Sequence, residues 1–177
     1  MTLRWHAARR TIAALTLLLP LAAGAEERQP TLDRGPAGEA VLNLTVAPCL
    51  VREGEADPLP YSAADRAACE RINRVSLPTR EKGFVRLKVP AGPFLLRVRN
   101  DGVRWPIDFT LQGARDPSLP KTRGGPIPPG GVADFPLTLV PGLYTYSSPA
   151  TGTPAYQILV EGVGKVVDPR LAPGQLR

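Results

Sequence analysis

Residues 89–102 read VPAGPFLLRVRNDG. Pro90, Gly92 and Pro93 interrupt any helix at the start of this stretch, and the remainder alternates strictly: Phe94, Leu96 and Val98 point one way, Arg97 and Arg99 the other. A period of two with one apolar face is the pattern of a half-buried β-strand. The same alternation recurs on both sides. Leu42, Leu44 and Val46 oppose Asn43 and Thr45 in a strand expected over 40–47. Val85, Leu87 and Val89 oppose Arg86 and Lys88, and Ile107, Phe109 and Leu111 oppose Asp108, Thr110 and Gln112. Phe135, Leu137 and Leu139 form a further run, where Pro136 marks an edge strand because it cannot donate to a ladder. Two more strands are expected at 143–147 and 156–161. Twenty-one prolines and 17 glycines cluster between these runs and favour turns.

Seven short strands, each apolar on one face, need a second sheet to cover that face. The expected fold is therefore all-β, a Greek-key β-sandwich of about seven strands. One short helix is expected at 62–73, where Ser62 and Asp65 precede Ala63, Ala64, Ala67 and Ala68 in a capping-box-like start. Three segments read as loose: 26–39, the Pro/Gly-rich 113–131, and the C-terminal tail over 163–177. The middle one reads either as a functional loop or as an inert insertion.

The first 25 residues have the layout of a secretory signal: Arg4, Arg9 and Arg10, the apolar run Ile12–Leu21, then Ala23, Gly24 and Ala25. The domain organisation expected is a signal at 1–25, a flexible segment at 26–39, a sandwich at 40–162 and a tail at 163–177. Cleavage after Ala25 would place the protein in the periplasm or outside the cell, with no membrane span. It would also remove the only histidine, His6, and the only methionine, Met1. Losing Arg4, Arg9 and Arg10 lowers the formal charge from +6 to about +3, and no dense basic stripe points to nucleic acid. In an exported chain the only two cysteines, Cys49 and Cys69, are expected to form a structural disulfide.

Common catalytic constellations are missing. Without histidine past residue 25 no Ser-His-Asp or Cys-His triad can form, although Ser147 and Ser148 sit together. None of the four lysines has the spacing of a Ser-Lys dyad, and Cys49 and Cys69 lack the close spacing of a redox-active pair. No enzyme activity is expected. Arg86, Lys88, Arg97 and Arg99 would make a basic face if their strands shared one sheet, and Asn43 with Thr45 spells a glycosylation sequon.

The segment Val89–Gly102, together with WPIDFTLQG at Trp105–Gly113 and PGLYTYSSPATGTPAYQILVEG at Pro141–Gly162, resembles cupredoxin domains. The resemblance covers roughly 85–162 and implies a cupredoxin-like sandwich whose closing hairpin carries a copper-binding loop. The family's first His position falls at or beside Ile107, and its Cys at Ser147 or Ser148. The remaining ligand positions fall among Thr151, Thr153, Pro154, Ala155 and Tyr156. None of these supplies the imidazole and thiolate donors of a blue-copper site, so no cofactor is expected. The same topology would gather Asn100, Asp101, Arg104, Trp105 and Tyr156 into a rim suited to a protein partner. Trp105 and Tyr156 could instead pack down into the space of the metal. Two functions fit these residues best: a non-catalytic accessory module of an extracytoplasmic redox or metal-handling system, or a small-molecule or glycan binder using Trp105 and the 113–131 loop. A third is copper handling through carboxylates or free thiols.

Overall fold

A computed structural model describes residues 26–162. The expected signal at 1–25 and tail at 163–177 lie outside the described residues. In chain order the strands are β1 (Glu26–Arg28), β2 (Asp33–Arg34), β3 (Ala40–Ala47), β4 (Leu50–Val51), β5 (Val85–Pro90), β6 (Gly92–Asn100), β7 (Ile107–Gly113), β8 (Thr122–Ile127), β9 (Val132–Leu139), β10 (Gly142–Ser147) and β11 (Tyr156–Glu161). Among the described residues one α-helix, α1 (Arg66–Arg80), interrupts them.

One sheet has the order β1-β5-β11-β10-β7-β8 and the other β2-β3-β6-β9, with β4 on β3. The chain passes repeatedly between the two, and the pairs β3/β6 and β5/β11 are parallel, so no hairpin joins them directly. This is the expected Greek-key β-sandwich, with all seven expected strands in place. The alternating residues explain why. Leu42, Leu44 and Val46, with Leu96 beside them in the same sheet, face Leu87, Phe109 and Ile158 across a single apolar core, each 1% exposed or less. Each large side chain buried in this way contributes roughly 1.5–3 kcal/mol. Pro136 lies in β9, the edge of its sheet, where its missing N–H can be spared.

Four differences from expectation have local causes. Segment 26–39 is not loose throughout: β1 adds parallel to β5, and β2 pairs with β3. Segment 113–131 contains β8, paired with β7. Gly124 allows β8 to close on the second sheet, since a Cβ there would lie 2.4 Å from the Phe135 ring. The helix starts at Arg66 with Asp65, not Ser62, as its cap, the carboxylate accepting from the Ala68 N–H at 2.7 Å. It also runs on to Arg80, past the expected end at 73, because Asn73 and Arg80 find buried partners beneath it.

Candidate functional site

The loops after β3, β6 and β10 and the start of β11 meet at one pole of the sandwich. Asn100 ends β6 there. Its N–H donates to Gly131 O at 2.9 Å, and its side-chain amide donates to Trp105 O at 3.1 Å and Ile127 O at 3.2 Å. It is fully buried, a clasp between loops and not part of a rim. Trp105 is half-buried against the core, and its indole N–H donates to Ala150 O at 3.0 Å. The Ala150 N–H in turn donates to Asp108 Oδ1 at 2.7 Å. Both backbone groups of Ala150 are thus held from the segment that opens β7.

The turn from Ser148 to Thr153 is knit internally as well. Ser148 O accepts from Thr151 N at 3.1 Å and Thr151 Oγ1 at 2.9 Å, while Ser148 N donates to Thr153 Oγ1 at 2.7 Å. Gly152 closes this turn in the left-handed region at φ 62°. Ile107 is core, Ser147 is half-buried opposite Thr110, and Ser148 is fully buried.

Tyr156, expected on the rim, lies inside. As the first residue of β11 it shares the inward parity of Ile158 and Val160, and its hydroxyl donates to Glu55 Oε1 at 2.5 Å. Burial, and then the Glu55 carboxylate, drive the phenol far above its ordinary pKa, so it remains a donor. Of the five expected surface residues, Asp101 and Arg104 reach solvent, Trp105 does so in part, and Asn100 and Tyr156 do not. Asp101 is paired with Arg52 at 2.6 Å.

Beneath α1 lies a polar network that the sequence did not reveal. Arg80 grips Glu55 with two nitrogens, Nε to Oε2 at 3.1 Å and Nη2 to Oε1, and both side chains are almost wholly buried. Arg80 Nη1 also donates to Asn73 Oδ1 at 2.6 Å. Asn73 Nδ2 donates to Gly152 O at 2.8 Å and Cys49 O at 3.1 Å. The Cys49–Cys69 disulfide is formed and ties α1 to the end of β3. No motif or period marks these residues. The one signal was the expected disulfide, which already placed the helix against residue 49.

The donors at this pole are Ser and Thr hydroxyls and the Asn100 amide. These are hard oxygens, unsuited to a copper site of imidazole and thiolate. Among the described residues no three His, Cys, Asp or Glu side chains converge as a metal group, and both sulfurs are joined in the disulfide. The family's metal does not fit this corner. Beside it opens a cavity of about 490 Å³ lined by Pro48, Leu50, Leu59 and Tyr61, with Arg52 and Asp101 at its rim.

The expected basic face is not assembled. Arg86 and Lys88 lie on one sheet and Arg97 and Arg99 on the other. Arg97 makes two bonds to Asp134 at 2.8 Å, Lys88 pairs with Glu161 at 3.0 Å, and Arg86 donates to Gln157 at 3.0 Å.

No protein-family model and no curated protein matches the chain. Solved structures with a similar arrangement of strands include a multicopper oxidase, 15% identical over 77% of this chain, with a TM-score of 0.41. This chain spans about half of that one, 48%. Rusticyanin from Thiobacillus ferrooxidans is 16% identical over 68% of this chain and 77% of its own, with a TM-score of 0.39. A mutant amicyanin in its Cu(I) form is 17% identical over 43% of this chain and 69% of its own, at 0.33. At such identities the likeness concerns the fold alone.

Proposed function

We propose that this chain is an exported, non-catalytic cupredoxin-like module that binds another protein, as an accessory to an extracytoplasmic redox or metal-handling system. The observation that carries the reading is the state of the pole. Its metal corner is filled by Trp105 and a self-bonded turn with no soft donor, while the adjoining cavity keeps apolar walls and a charged rim at the surface. A surface that combines an apolar floor with a polar rim suits protein docking. Export rests on the character of residues 1–25. The small-molecule alternative draws less support, because the indole N–H of Trp105 is already committed to Ala150 O.

A photo-crosslinking side chain placed at Leu59, which is 52% exposed, tests the reading in extracytoplasmic extracts. One defined adduct is expected at Leu59 and none at exposed Thr138, at the end of β9 away from the pole. Equal, diffuse labelling at both positions, or none, would sink the proposal.

A further inference from the structure

Asn73 hydrogen-bonds to both halves of the pole. Its amide nitrogen serves Cys49 O, between Pro48 and Leu50 of the cavity wall, and Gly152 O, in the turn that fills the metal corner. Its oxygen accepts from Arg80, whose guanidinium lies 5.0 Å from the centre of the Tyr61 ring on the cavity's other wall. Three of its four hydrogen-bonding positions are therefore used, and Asn73 is only 4% exposed. Cys49 itself sits in the left-handed region at φ 70°, a conformation that a non-glycine residue keeps only where its surroundings enforce it. The disulfide holds its side chain and Asn73 holds its carbonyl. A buried amide whose two donors and acceptor oxygen are all engaged rigidifies the groups it joins.

We infer that Asn73 is a positioning residue: through α1 it orders the 148–153 turn and sets both walls of the adjoining cavity. Turn and wall then form one unit. When the Asn73 amide lets go, the Gly152 and Cys49 carbonyls lose their partner together, while the disulfide still ties Cys49 to α1. The inference concerns only how the pole is held, so it stands or falls apart from the partner proposed above.

Amide hydrogen exchange on the full chain tests it. In the unmodified protein the amides of Ala150, Thr151 and Gly152 should open together with that of Leu50, as one cooperative unit distinct from β5 and β6. In Asn73→Asp, which keeps the acceptor for Arg80 but lacks the two donors, these same amides should exchange about tenfold faster or more. Those of Leu87 and Leu96 should keep their rates. Cu(II) added to either protein should leave the turn amides unaffected. Independent opening of turn and wall in the unmodified protein would overturn the inference, and that measurement does not require the variant to fold. So would an acceleration spread evenly over the sandwich in Asn73→Asp, or a slowing of the turn by copper.

Discussion

Glu53 shows how one residue can sit inside the fold yet leave its charge unsettled. Its carboxylate accepts the Thr45 N–H at 2.7 Å, but burial raises its pKa above the ordinary value of 4.5, the nearby backbone donor and Arg52 offsetting only part of the effect. A raised carboxyl pKa means the folded state holds the proton more tightly than the unfolded one. Glu53 therefore contributes stability below its unfolded pKa, and that contribution is lost as pH rises through its folded pKa. The expected outcome is that Glu53→Gln, which keeps an acceptor for Thr45, gains stability over the parent as pH rises from about 4 to about 7. Urea unfolding midpoints at several pH values check this. A gap that stays constant with pH would show that the carboxyl is unperturbed. Glu53, Glu55 and Arg80 look in sequence like any surface charges, since only the path of the chain decides that they turn inward. Tyr156 misleads for another reason: the family resemblance puts it on a rim, while its parity with Ile158 and Val160 in the expected strand turns it inward.

At the scale of elements, strands are easier to read than anything between them. Alternation of Phe94, Leu96 and Val98 against Arg97 and Arg99 needs no partner to be recognised, whereas β8, with Gly124, Gly125 and Pro126, carries no apolar period at all. Its pairing comes from the neighbouring strand. The helix is visible from its cap and alanines, but its last two turns depend on tertiary partners, Asn73 on Gly152 and Arg80 on Glu55. The disulfide joins this helix to β3 across a separation of 20 residues. Chain-entropy reasoning gives such a crosslink roughly 3 kcal/mol. The double variant Cys49→Ala, Cys69→Ala should thus lose about that much in urea unfolding, with α1 detaching before the sheets. Circular dichroism in the far ultraviolet and Trp105 fluorescence would track the two steps separately. Coincident transitions would mean that α1 is held by the polar network alone.

For the whole molecule, the sandwich and its chemistry answer to different constraints. The core is set by apolar residues that alternate along seven strands, and these would build the same two sheets around any set of side chains at the pole. The pole is set by a few residues, and here they include Ile107, Ser147, Ser148, Thr151 and Thr153, none of which offers an imidazole or a thiolate. That much is legible in the sequence, because absence of a residue type from 26–177 holds whatever the fold. The groups that hold the pole together are not legible, because Trp105, Asp108, Ala150 and Asn73 meet only in space. Copper binding to a thiolate-imidazole site depends on donors that no rearrangement of these loops can supply. A chain beginning at residue 26, incubated with Cu(II) under oxidising conditions and then passed through a desalting column, should retain no stoichiometric copper and show no intense visible absorption. Its thermal unfolding midpoint should match that of the untreated protein, since a ligand that bound the folded state would raise it. Copper retained at one ion per chain with the disulfide intact would require oxygen or backbone ligands at a site other than this pole, and would make metal handling the better account of the protein.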